Sequence, residues 1–143
     1  MNKARLALWL LSGAVGIFLL IQLIPYGHNR TNPPVVAEPQ WSSSQARALV
    51  KEHCFQCHSN ETEWTWYSNI APGSWLIAWD VIKGRKEFNF SDWQRKPEEA
   101  DEMAEKIQEG EMPPIQYWLF HPSSRLDAQQ KQDLISALES SIH

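Results

Sequence analysis

The chain has 143 residues, with 13 Lys and Arg against 17 Asp and Glu, a formal net charge of −4, and 43% hydrophobic residues. This length suits one small domain, and an acidic balance without a basic stripe excludes a nucleic-acid binder that neutralises phosphates with clustered Lys and Arg. Two cysteines are too few for a disulfide scaffold, and eight tryptophans exclude a disordered tail.

The first element runs from Leu6 to Ile24. It is apolar except for Ser12 and Gln22 and carries no charge. At about 1.5 Å per residue it spans roughly 28 Å, close to the hydrocarbon thickness of a bilayer. Lys3 and Arg5 precede the run and Arg30 is the next basic residue, so the positive-inside rule keeps the N-terminus in the cytoplasm and sends the remainder across. A cleaved signal peptide is the competing reading. Against it stand the length of the apolar run and the lack of a small-x-small site before Pro25-Tyr26-Gly27. Residues 1–25 are therefore expected to be a transmembrane anchor. Residues 26–40 read as a Pro-rich linker, extended and without helical or strand periodicity. The folded domain is expected over 41–143. Setting aside the three basic residues of positions 1–30 leaves 10 basic and 17 acidic side chains, a net −7 for residues 31–143.

The next helix is expected from Ser44 to Cys57, with Ala46, Leu49, Val50, His53, Cys54 and Cys57 recurring at helical spacing behind caps at Ser42 to Ser44. At its end both cysteines fall in Cys54-Phe55-Gln56-Cys57-His58, the C-x-x-C-H pattern of c-type haem attachment. Two thiols one helical turn apart suit thioethers to the two vinyl groups on one edge of the macrocycle, and His58 is the proximal ligand candidate. Such attachment occurs outside the cytoplasm, where the anchor independently places the motif. Three other readings compete. A thiol-disulfide site calls for a thioredoxin-like strand pattern that the sequence lacks. A zinc site calls for two further ligands, and His28, His53, His121 and His143 are scattered. A structural disulfide has no use for the following His. The loop Asn69 to Gly73, stiffened by Pro72, is expected to offer a carbonyl to the second nitrogen of His58.

A short helix is expected from Trp75 to Lys83, stopped by Gly84 and apolar nearly all round, hence buried. Arg85 and Lys86 after it suit haem propionates or simply solvent. Trp64, Trp66, Tyr67, Trp75, Trp79, Trp93 and Trp118 are expected around the porphyrin, whose apolar area would enlarge a small core. A further helix is expected from Pro97 to Glu109, with Ala100, Met103, Ala104 and Ile107 as its buried stripe and Gly110 as its stop. In the following Gly110-Glu111-Met112-Pro113-Pro114, two prolines stiffen the loop around Met112. Met112 lies 54 residues beyond His58, far enough for the chain to return on the opposite haem face, and it is the candidate for the second axial ligand. Met103 reads as packing and His121 as a reserve ligand. The last helix, Asp127 to about Ser141, opens on a capping box formed with Gln130 and buries Leu134, Ile135, Leu138 and Ile142.

With these segments in hand, the sequence resembles the membrane-anchored bacterial haem-binding domain family, a single-haem group related to class I cytochromes c. The resemblance rests on His53 to Thr62, on Trp66-Tyr67-Ser68-Asn69-Ile70-Ala71-Pro72, on Gly84-Arg85 with Asn89-Phe90-Ser91, and on Gly110 to Pro114 with His121-Pro122. It implies an all-α protein, an N-terminal transmembrane helix followed by a small cytochrome c-like helical domain around one covalent haem c. Cys54 and Cys57 would attach the haem, with His58 and Met112 as the axial ligands of its iron. The implied location is the bacterial cytoplasmic membrane, single-pass, with the N-terminus inside and the haem domain periplasmic. The leading functional expectation is a single-electron carrier with redox protein partners, without a catalytic residue. A haem enzyme or sensor with an open distal site, and an accessory subunit of a respiratory complex, are the rival classes.

Overall fold

The computed structural model describes residues 2–94 and 102–142. Six α-helices and no strand occur among the described residues: α1 (Lys3–Ile21), α2 (Ser44–His58), α3 (Gly73–Glu87), α4 (Glu102–Glu109), α5 (Ile115–Phe120) and α6 (Ala128–Ile142). The all-α expectation holds. Of the expected helix from Pro97 to Glu109, the part from Pro97 to Asp101 lies outside the described residues. The chain divides into two units, Met1–Thr31 with Trp64–Asp80 and Asn32–Glu63 with Val81–His143.

In the first unit, α1 is capped by Asn2, whose side chain accepts from the Ala4 N–H. It buries none of its side chains, and it is long and apolar enough to cross a membrane. Gly27 follows with φ +78°, a left-handed conformation that an L side chain resists. A Cβ there would lie 2.7 Å from the Ser74 carbonyl oxygen.

The second unit is built around α2, α4 and α6, with α6 packed on both of the others. Ser43 caps α2 by accepting from the Ala46 N–H at 3.0 Å. Asp127 and Gln130 form the expected capping box of α6, each side chain accepting from the other residue's N–H, at 2.8 and 2.9 Å. The core that these helices enclose holds Val50, Phe55, Phe90, Met103, Ile107, Leu134 and Leu138. Trp41, Phe55, Phe90 and Trp93 pack as one aromatic group, with ring centroids 5.5–6.1 Å apart.

The hydrogen bonding of this unit begins at Asn32, within the proline-rich stretch. Asn32 donates to the Thr62 carbonyl, Pro34 accepts from Asn60, and Val36 and Ala37 both donate to the Ser91 carbonyl. Proline leaves few backbone donors here, and the side-chain amides of Asn32 and Asn60 supply donors in their place. Glu38 then binds the segment to α2. Its carboxylate accepts from Arg47 Nε (2.7 Å) and Nη2 (2.6 Å) and from Trp41 Nε1 (2.6 Å).

The Arg47 hydrogen bonds hold the Glu38 carboxyl below the usual glutamate value of 4.5, against burial acting in the other direction. Because both partners are partly exposed, Glu38→Gln is expected to cost about 1 kcal/mol in denaturant unfolding at neutral pH. A carboxyl with a depressed native pKa stabilises above its unfolded value and loses that contribution as pH falls through the native value. The gap between wild type and variant should therefore close as pH drops below 4.5. A gap that stays constant through that range, or widens, contradicts the assignment.

Candidate haem site

The C-x-x-C-H motif occupies the last turn of α2, so Cys54 and Cys57 stand one helical turn apart with His58 ending the helix. Neither cysteine is in a disulfide. Cys54 packs against the core cluster, and burial, reinforced by neighbouring Cys57, pushes its thiol up to about 12. It is a neutral thiol at physiological pH. Among the described residues, no group of three or more His, Cys, Asp or Glu is placed to hold a metal ion.

His58 is buried, and its Nδ1 lies 3.4 Å from the Phe88 carbonyl oxygen. A carbonyl only accepts, so this pairing puts the ring proton on Nδ1 and leaves the Nε2 lone pair for a metal. The Phe88 ring stacks on the imidazole, 4.0 Å between centroids and 11° from parallel. Burial lowers the His58 pKa, with the Phe88 carbonyl pulling the other way, so the imidazole is neutral near pH 7, as a ligand must be. The carbonyl expected from Asn69 to Gly73 thus comes from Phe88 instead. The reason is the length of α3, which continues past Lys83 to Glu87 and so delivers Phe88 to His58.

Gly84 does not stop α3. The helix runs through it to Glu87, because the missing side chain serves close packing. A Cβ on Gly84 would lie 2.7 Å from the Cys57 carbonyl oxygen and 3.0 Å from its carbon. The buried side of α3 carries Ser74, Ala78, Val81 and Gly84, all small, while Leu76, Trp79 and Ile82 face outward. The expectation of burial all round is therefore corrected to one buried stripe of small residues. The extra turn brings Arg85 onto the loop after the motif, where Nε donates to the Ser59 carbonyl (2.7 Å) and Nη2 to Asn32 Oδ1 (2.7 Å) and Thr62 Oγ1 (2.9 Å). Arg85, considered for propionates, spends these donors inside the protein; Lys86 is exposed.

Met112 is half-buried and packs on the cluster that also receives Cys54 and Phe88. Its loop is set by the end of α4, where Gly110 turns at φ +80° and the Lys106 carbonyl accepts from the N–H groups of Glu111 (2.9 Å) and Met112 (3.2 Å). Met103 is buried in the core, as its helical stripe requires. His121 stacks on Tyr117 at 4.5 Å with Nδ1 3.2 Å from the Tyr117 carbonyl oxygen. His53 is buried, burial lowers its pKa, and its Nδ1 has no hydrogen-bond partner. His143 lies outside the described residues. Of the tryptophans, Trp66 is among the most exposed side chains; in the motif-bearing unit Phe55 and Phe90 are buried in the core and the partly buried Phe88 packs edge-on against Phe90. A residue pair signals Gly84: a glycine inside an otherwise helical pattern and an arginine after it mark close approach rather than termination.

Gly84→Ala is expected to destabilise the protein. Alanine favours a helix interior by about 1 kcal/mol over glycine, but forcing a methyl against a backbone carbonyl costs about 1–3 kcal/mol or more. A lower denaturant midpoint with an unchanged slope checks this, and a raised midpoint contradicts the close approach.

The residues present fit a haem: two thiols at attachment spacing, a neutral imidazole oriented through Nδ1, and a thioether on the same core. Comparison with known proteins agrees. No curated protein and no solved structure matches the chain, whereas the family model described as "Haem-binding domain" matches residues 16–140. The match takes in the motif, the long α3 that orients it and the Met112 loop, and the chain belongs to the haem-binding domain family.

Proposed function

We propose that the protein is a membrane-anchored c-type cytochrome carrying one covalent haem and passing single electrons on the outer face of the cytoplasmic membrane. The observation that carries this reading is the orientation of His58, whose Nδ1 faces the Phe88 carbonyl directly after two thiols one turn apart. Cys54 and Cys57 would hold the haem through thioethers, and His58, through Nε2, and Met112 would bind its iron. Haem bound here contributes a one-electron iron couple, and thioether ligation raises its potential. The chain's own part is orientation: Phe88 fixes the imidazole plane and tautomer, and Gly84 and Arg85 hold the end of α2. Two protein ligands would leave no coordination position for substrate, which supports the reading of a carrier rather than a catalyst. The acidic domain suits a redox partner with a basic docking patch and a salt-sensitive encounter. The apolar run of α1, preceded by Lys3 and Arg5 and followed by no basic residue before Arg30, supports an anchor with its N-terminus inside.

Absorption spectra and acid–acetone extraction test this. Haem should stay with the polypeptide through extraction and be released from the Cys54→Ala/Cys57→Ala double variant. The oxidised protein should show the long-wavelength Met-to-iron band, and Met112→Ala should abolish it. Prompt CO binding by the reduced wild type would overturn the carrier reading in favour of an open distal site.

A further inference from the structure

Residues 64–79 contain four of the eight tryptophans and no charged residue, in a domain that is otherwise acidic. Their unit joins them to the exit of α1. Gln22, which caps α1, donates from Nε2 to the Ala71 carbonyl (3.1 Å) and accepts at Oε1 from the Ala71 N–H (2.9 Å). One side-chain amide thereby pairs both backbone groups of Ala71, which is 2% exposed. Arg30 donates through Nε (3.0 Å) and Nη2 (2.7 Å) to the Ser68 carbonyl. The Ile70 carbonyl accepts from Ser74, that of Pro72 from Trp75 and Leu76, and the N–H groups of Ser68 and Ile70 bond within the turn. These backbone groups are paired within the unit, while Trp66 is 74%, Trp79 48%, Leu76 40% and Ile70 39% exposed.

That arrangement inverts the usual surface loop, which turns polar groups to water. It suits the edge of a bilayer: backbone groups that are already paired lose little on leaving water, and indole rings favour the headgroup layer. Gln22 is the C-cap of α1 and lies two residues before the end of the apolar run at Ile24, so the loop it grips stands at the membrane boundary.

We propose that residues 66–79 form a membrane foot, with Trp66, Ile70, Leu76 and Trp79 seated in the outer-leaflet interface beside the exit of α1. The partner is the lipid surface itself. The inference rests on the reading of α1 as an uncleaved span. Its consequence is that the chain meets the outer leaflet at two places, the exit of α1 and the foot, rather than through a single helix.

The test uses the full-length haem-loaded chain in phosphatidylcholine vesicles containing a phosphatidylcholine with an acyl-chain diazirine. After photolysis, lipid adducts are mapped by mass spectrometry. Adducts are expected on residues 3–24 and on 66–79, both several-fold above α6. Trp66→Ser/Ile70→Ser should lower those on 66–79 several-fold and leave those on 3–24 unchanged. Adducts confined to 3–24 overturn the foot and keep the anchor, as do cross-links from 66–79 to a second copy of the chain, and coverage of these side chains by haem gives the first of these results. A mature chain whose mass lacks the first segment overturns the anchor reading, and the foot with it.

Discussion

The approach of α3 to the end of α2 at Gly84 governs the motif-bearing unit. With no Cβ on Gly84, the helix backbone comes down onto the Cys57 carbonyl. Because Gly84, Arg85 and Phe88 follow one another around a single helix turn and its exit, that one contact sets three others. Arg85 reaches the loop after the motif, the Phe88 carbonyl reaches His58 Nδ1, and the Phe88 ring lies flat on the imidazole. A larger residue at 84 would push all of these away together, since a helix moves as a rigid element.

Around that contact the unit uses two kinds of cohesion. On one side α2, α4 and α6 bury aliphatic and aromatic side chains, and the aromatic group of Trp41, Phe55, Phe90 and Trp93 replaces the sheet that a mixed fold would supply. On the other side the chain is irregular, and a buried polar seam holds it. Ser59, Asn60, Thr62 and Ser91 are buried and hydrogen-bonded, with Asn89 and Asn32 closing the network. Backbone groups in buried loops must find partners, which explains the density of serine and asparagine after the motif. The outcome is a rigid platform for His58: Phe90 N–H donates to the His58 carbonyl, so the residue is restrained through both its backbone and its ring. Preorganisation of this kind suits the ligand role proposed for His58.

The same economy of polar groups acts at the exit of α1, with a different result. There Gln22 and Arg30 satisfy backbone carbonyls, and the large apolar residues are left facing outward. The tryptophan excess thus has two separate physical explanations. Trp41 and Trp93 belong to the aromatic core, whereas Trp66 and Trp79 belong to an uncharged surface segment tied to the apolar helix.

Much of this was legible in the residues themselves. Local chemistry determines α1, because its apolar length needs no partner to be recognised, and it determines the caps of α2 and α6, because Ser43, Asp127 and Gln130 bond within a few positions of themselves. The C-x-x-C-H motif is equally local, and with it the identity of the attachment and proximal residues under the proposed function. The roles of Gly84, Arg85, Phe88 and Gln22 are of another kind. Each depends on a partner 26 to 49 positions away, and a glycine in a helix reads as a stop until the carbonyl it admits is known. Composition and spacing therefore determined what chemistry the chain carries. Only the tertiary structure decided which carbonyl orients His58 and which tryptophans stay outside, because those outcomes depend on how closely two helices approach.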